Sequence, residues 1–243
     1  MWRSVQGDLI MRVEFWSDVV CPWCYVGKRR FEQAMKGFAH AGKIELIHRS
    51  FQLDPNAAKG KTEPTSELLM KKYRLGATEL AAMQGKLKQT AAAEGLNFQL
   101  EHTESGNTEN AHRLLHEARL HGVENQLLEA MYSAYFCEQK SLFDEASLLA
   151  LSRAAGVPDQ AAQQVLASDK HAAEVRADGE QARAFGASGV PFFVIDGKYG
   201  ISGAQPAALI QQALERAWSE HAPLDGASDG EVCEDGICAT PSN

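Results

Sequence analysis

Partly alternating apolar and aromatic residues run through MRVEFW at residues 11–16, a pattern that fits a short strand better than a helix. After Pro22 the period changes. Trp23, Val26, Phe31, Met35 and Phe38 recur at helical intervals, and the run closes in the small, polar AHAGK. KIELIHRSFQLDP is strand-like again and Pro55 closes it, so residues 11–55 predict a β-α-β unit whose crossover handedness makes its two strands parallel. The next hundred residues lose the strand period. KKYRLGATELAAMQGKLKQTAAAEG, NTENAHRLLHEARLHGVENQLLEAMYSAYFCEQ and DEASLLALSRAAGVPDQAAQQVLAS are rich in Ala, Leu, Glu and Gln with Gly or Pro breaks, which predicts an all-helical block over 56–170. From 171 to 220 the pattern gives a helix, two strand-like runs (FFVID and KYGIS) around an Asp-Gly turn, and a last amphipathic helix with Leu209, Ile210, Ala213, Leu214 and Trp218 apolar. Residues 221–243 are acidic and poor in bulky apolar side chains, the composition of a flexible tail.

With the helical block set aside, 11–55 and 171–220 make a four-stranded sheet with helices on both faces, two strands parallel and a hairpin at one edge. A chain of 243 residues, 44% of them hydrophobic, is long enough to bury such a core with an insertion attached. The formal charge of -8 argues against a polyanion-binding surface, because neutralising phosphates needs clustered Lys and Arg, so nucleic acid is not an expected partner. The opening MWRSVQGDLIMRVEFW lacks a basic region followed by a sustained apolar run and a small-residue cleavage site, and no apolar run approaches a membrane span. These features predict a cytoplasmic protein with no membrane partner. Met11 directly precedes the first strand, which marks residues 1–10 as an upstream start or a dispensable arm.

Five cysteines are too few for a disulfide scaffold in a chain of this size, and four of them form close pairs: Cys21 with Cys24, and Cys233 with Cys238. The first pair, in SDVVCPWCYVGKRR, stands where the strand stops and the helix starts. A cysteine there faces the unpaired backbone N–H groups and the positive end of the helix dipole, which stabilise its thiolate. Pro22 suits the first helical position because its missing N–H had no partner there. Cys24 follows one turn on, within reach of an unstrained bridge. This predicts Cys21 as an exposed nucleophile and Cys24 as the more buried resolving thiol, with Pro22 and Trp23 tuning the pair. Trp23 cannot supply the positive charge that a histidine there would, which predicts an intermediate potential. The alternatives are a zinc site, which needs about four ligands and finds no second pair nearby, and a structural disulfide. No metal and no cofactor is expected.

Val190-Pro191 stands at the start of the FFVID strand, where a proline belongs at an edge or in a special turn. Cys233 and Cys238, in the tail with a glycine between them, fit a mobile dithiol relaying electrons to Cys21–Cys24 or a structural or incidental surface disulfide, with metal capture a lesser alternative because two thiolates form only half a zinc site. His112 and His116 stand i, i+4 on a helix, a spacing that can hold metal, but no third ligand accompanies them and helix packing is the expected role. Asn107 and Thr108 are expected to cap that helix. Cys137 reads as a packed small hydrophobe, Lys28, Arg29 and Arg30 as a solvated helix face, and Asp18 as either a loop cap or a proton acceptor near Cys21.

The element order is that of a thioredoxin fold with a large all-helical insertion. The runs SDVVCPWCYVGKRRFEQA, FQLDP, the N-T-x-x-A-H element at Asn107–His112, AYFCEQ and ASGVPFFVIDGKYGISGAQP together resemble the DsbA-like family of FrnE-type oxidoreductases, over roughly residues 11–220. The resemblance implies activity on protein or small-molecule thiols and disulfides, glutathione among them. It also implies a cis-proline at Pro191 beside the cysteine pair, with the preceding Val190 offering its backbone to an extended substrate. The same superfamily includes glutathione-dependent 2-hydroxychromene-2-carboxylate isomerases and kappa-class glutathione transferases, the alternative reading. Those enzymes have Ser at the first motif position and lack the second cysteine. This sequence keeps both thiols, which favours dithiol exchange.

Overall fold

The computed structural model describes residues 10–221, so the pair Cys233 and Cys238 lies outside the described residues. The chain opens with strand β1 (Met11–Ser17), helix α1 (Pro22–Gly37) and strand β2 (Ile44–Ser50). It closes with helix α8 (Ala172–Ala184), strands β5 (Phe192–Ile195) and β6 (Tyr199–Ser202), and helix α9 (Ala207–His221). These strands form one mixed sheet in the order β2-β1-β5-β6, with β1 and β2 parallel and β1, β5 and β6 antiparallel in turn. This is the expected thioredoxin topology with a helical insertion.

Strand alternation sends successive side chains to opposite faces, and each face has its own helices. On one, Phe15 stacks on Phe193 with ring centroids 4.5 Å apart, Phe31 of α1 stacks on Phe193 at 5.6 Å, and Ile210 and Leu214 of α9 join the same core. On the other, Trp16, Phe192 and Val194 pack on Ala182 of α8, and the Trp16 indole N–H donates to the Asp178 carbonyl at 2.8 Å. The β5–β6 turn uses Asp196 and Gly197, both at positive φ (53° and 67°), as a tight hairpin turn requires.

The insertion carries α2 (Thr65–Tyr73), α3 (Ala77–Ala93), α4 (Glu109–Leu120), α5 (Glu124–Cys137), α6 (Glu145–Ala155) and α7 (Asp159–Leu166). It is not all-helical. Strands β3 (Thr62–Pro64) and β4 (Glu104–Gly106) pair antiparallel, in register Thr62 to Gly106 and Pro64 to Glu104. Pro64 is tolerated because a two-stranded ribbon leaves one side of each strand without a ladder to satisfy.

Candidate functional site

The β1–α1 junction sets the cysteine geometry. Cys21 is the N-cap of α1, in extended conformation (φ -93°, ψ 110°), with Pro22 opening the helix. Its backbone N–H donates to the Asp18 carbonyl at 3.0 Å, and the Cys24 N–H donates to the Cys21 carbonyl at 3.0 Å. The two cysteines approach to 3.2 Å. Cys24 is fully buried, but Cys21 is only 5% exposed, a correction to its expected exposure. The covering backbone is that of Val190, whose carbonyl lies 3.7 Å from the Cys21 sulfur. Trp23, between the cysteines, is 44% exposed and forms the rim. Burial raises the Cys24 thiol well above its ordinary range; the Cys21 sulfur and the Asp18 carboxylate add to the rise, and a backbone bond from Asp18 opposes it.

The Val190–Pro191 peptide bond is cis, and the Pro191 carbonyl accepts the Gly203 N–H at 2.8 Å. Pro191 rests directly on α1 at Gly27, where a Cβ would stand 2.9 Å from Pro191 Cγ. Sequence reasoning missed Gly27, whose signal was a glycine inside an otherwise helical pattern. Gly27→Ala should therefore destabilise, by about 1 kcal/mol, since overpacking at ~1–3 kcal/mol outweighs the ~1 kcal/mol gain in helix propensity. Gly85→Ala in α3, where the added Cβ meets nothing within 4 Å, should instead stabilise. Thermal melts of both variants check this; equal shifts would show that Pro191 does not press on α1.

Beneath the motif, Asp18 is 1% exposed. Its Oδ2 accepts the Leu53 N–H at 2.8 Å and its Oδ1 lies 3.1 Å from His112 Nε2, so it caps the loop from a buried position. His116 faces elsewhere, with Nε2 3.1 Å from Asp178 Oδ2 and 3.2 Å from Ser50 Oγ. The two histidines thus serve different carboxylates, the packing role expected of them. Asn107 caps α4 through Oδ1, which accepts the Glu109 N–H at 2.9 Å; Thr108 is buried and its side chain makes no cap bond.

Residues 12–215 match the DSBA-like thioredoxin domain. The chain belongs to the DSBA-like thioredoxin domain family. A probable DsbA oxidoreductase from Streptomyces coelicolor is 45% identical, with 96% of this chain and 100% of that chain covered and a TM-score of 0.85. A 2-hydroxychromene-2-carboxylate isomerase is 17% identical, over 86% of this chain and 97% of its own, at a TM-score of 0.62. The cytosolic disulfide reductase DsbM from Pseudomonas aeruginosa is 15% identical, over 86% and 99%, at 0.59. The last two likenesses are of fold alone. No curated protein matches the chain.

In this DSBA-like chain the insertion grips the motif helix. Lys28, expected on a solvated face, is only 2% exposed: its Nζ donates to Glu129 of α5 at 2.9 Å and pairs with Glu32. Arg29 also pairs with Glu129, and the Tyr25 hydroxyl donates to it at 2.6 Å. Tyr25, next to Cys24, stacks on Tyr132 at 4.8 Å. Cys137 is partly buried against the core, and burial raises its thiol. A cavity of about 370 Å³ is lined among others by Asp18, Val20, Lys61, Glu63, Ser105 and Thr108. Among the described residues, no helix is long and apolar enough to cross a membrane.

Proposed function

We propose that the protein is a thiol–disulfide oxidoreductase that works through the Cys21-Pro22-Trp23-Cys24 motif. The observation that supports this most is the placement of Cys21 at the start of α1, under the Val190 carbonyl, with buried Cys24 3.2 Å behind it. Cys21 stands where the first-turn N–H groups of α1 have no partner within the helix. As its thiolate, Cys21 attacks a partner disulfide, one partner thiol leaves, and a mixed disulfide forms; Cys24 then attacks Cys21, the second thiol leaves, and two outside thiols reduce the Cys21–Cys24 disulfide and leave joined as a disulfide. Val190 and Pro191 line the partner's approach, and Trp23, between the cysteines, is exposed to it. Partners are protein or small-molecule thiols and disulfides, glutathione among them, in the cytoplasm, and the chemistry needs no cofactor.

The experiment compares insulin reduction driven by dithiothreitol with glutathione conjugation of an electrophile. Turnover in the first and none in the second is the expected result. Conjugation without insulin reduction would move the protein to the isomerase and transferase reading, which the fold likeness to the 2-hydroxychromene-2-carboxylate isomerase keeps in view.

A further inference from the structure

On the face of the sheet that carries α8, a groove of about 230 Å³ lies between that helix and the chain that follows β2. Phe51 and Gln52 line one side, and Arg176, Gly179, Glu180 and Arg183 of α8 line the other. Positions 176, 179, 180 and 183 recur at i, i+3, i+4 and i+7, so they share one face of the helix. Another face is committed inward: Ala182 is buried, and the Asp178 carboxylate accepts the Ser50 N–H and pairs with Arg49. The groove face has no such match. Among the described residues Arg176 and Arg183 have no carboxylate partner; Arg183 donates to the Gly179 carbonyl at 3.1 Å, and Glu180, between them in sequence, pairs with neither. Two cations thus stand with one carboxylate in this groove, on a chain whose formal charge is -8. Gln52 Nε2 is buried with no hydrogen-bond partner, a loss that an acceptor in the groove would relieve. At Gly179 the nearest atoms to an added Cβ would be the Arg183 guanidinium nitrogens at 3.9 Å, so packing within the protein does not dictate the missing side chain, which widens the groove.

The groove is joined to the cysteine site. The Phe51 N–H donates to the Ser17 carbonyl at 3.1 Å and the Leu53 N–H to Asp18, which ties the groove's wall to the segment that leads into Cys21. Phe51 and Val190 also pack on one apolar cluster, that of Trp16, Ala182, Phe192 and Val194, and the Val190 carbonyl stands 3.7 Å from the Cys21 sulfur. A chain that reaches Cys21 past Val190 can therefore continue over Phe51 into the groove.

We propose that this groove is a second contact for a protein partner: the extended segment that carries the disulfide crosses Val190 and Phe51 and sets an acidic side chain, a few residues from its cysteine, against Arg176 and Arg183. The inference rests on the exchange reaction proposed above and adds to it a preference among partners. A carboxylate there accepts from guanidinium N–H groups, whose planar fork suits it, and the Gln52 amide stands in the same wall. The contact is made by the flanking chain and not by the sulfur being exchanged, so it acts on capture of the partner. Both guanidiniums are exposed, which makes the preference moderate and sensitive to salt.

The test uses short peptides with one cysteine joined to thionitrobenzoate, whose release on attack by Cys21 is followed in stopped flow. Glu, Gln or Lys is placed at successive positions on either side of the cysteine. At one position or adjacent pair, Glu should react about fivefold faster than Gln and about tenfold faster than Lys at low salt, and the difference should shrink in ~0.5 M salt. Arg176→Ala combined with Arg183→Ala should bring the Glu-to-Lys ratio there to about one, and replacing both arginines by Glu should invert it. Gly179→Leu, which fills the groove and keeps both charges, should also lower the ratio. Equal rates for the three residues at every position, a scan that needs only the unmodified protein, would overturn the proposal, as would a Glu preference that survives the double alanine variant. Glutathione joined to thionitrobenzoate separates the two sources of carboxylate. If its rate, relative to the uncharged 2-mercaptoethanol counterpart, falls in the double alanine variant as far as that of the Glu peptide, the groove is a glutathione site and the protein partner is overturned; an unchanged ratio supports the extended partner. No release from the 2-mercaptoethanol counterpart by the unmodified protein overturns the exchange reaction itself, whereas a normal release with no preference among the peptides overturns only the groove.

Discussion

Cys21→Ser should abolish the proposed disulfide exchange, while Cys24→Ser should keep the attack and stop the reaction at a mixed disulfide. The two cysteines are chemically alike and three residues apart, so the asymmetry comes from where the helix start puts them. Cys21 sits at the cap, where the first-turn N–H groups have no partner within the helix, with the Val190 carbonyl 3.7 Å from its sulfur. Cys24 is one turn in, fully buried, with its thiol raised by burial and by the neighbouring Cys21 sulfur and Asp18 carboxylate. A group in that state does not attack a partner in solution, but it attacks a sulfur already bonded at Cys21, a few ångströms away. Mass spectrometry of each variant after exposure to oxidised glutathione checks this: no adduct on Cys21→Ser at residue 24, and one stable glutathione adduct at residue 21 of Cys24→Ser. An adduct at Cys24 in the first variant would reverse the order of attack.

What could be read from the sequence and what could not follows from the range of the interactions. The Cys21-Pro22-Trp23-Cys24 motif stood out because a switch from strand to helical period is a local signal, and the β-α-β unit, the hairpin at Asp196-Gly197 and the parallel pairing follow from local rules of handedness and turn chemistry. The β3–β4 ribbon was missed because three polar residues per strand carry no alternation to detect. Lys28 was misplaced on a solvated face because its partner Glu129 lies 101 residues away on an element whose packing no period announces. His112 and Asp18 were each noticed, but 94 residues separate them, so their bond was invisible until the insertion was folded against the motif. Asn107 and Thr108 are both cap-forming types; which one caps depends on a one-residue shift in where α4 begins.

The same long-range grip gives the largest expected loss of stability. Glu129→Ala removes the acceptor of Tyr25, Lys28 and Arg29 at once and leaves the Lys28 ammonium, 2% exposed, with Glu32 as its remaining carboxylate. Breaking a fully buried ion pair costs about 3–5 kcal/mol; because Glu129 is a third exposed and Glu32 remains, the expected loss is about 2–3 kcal/mol. Lys28→Met should be milder than Glu129→Ala, since it removes the buried charge along with the bond and leaves an apolar chain of similar length. The dependence on pH has a definite sign. Burial alone would raise the Glu129 carboxyl, but the bonds from Tyr25, Lys28 and Arg29 outweigh it and hold the group below the ordinary glutamate range. A carboxyl depressed on folding contributes stability that is whole above its unfolded pKa of about 4.3 and is lost as pH falls through the lower folded value. Urea unfolding of the wild type should therefore weaken on acidification below about pH 4.5, and Glu129→Gln should flatten that limb. A Glu129→Ala variant as stable as Lys28→Met, with an unchanged acid limb, would mean that α5 touches the motif helix without holding it.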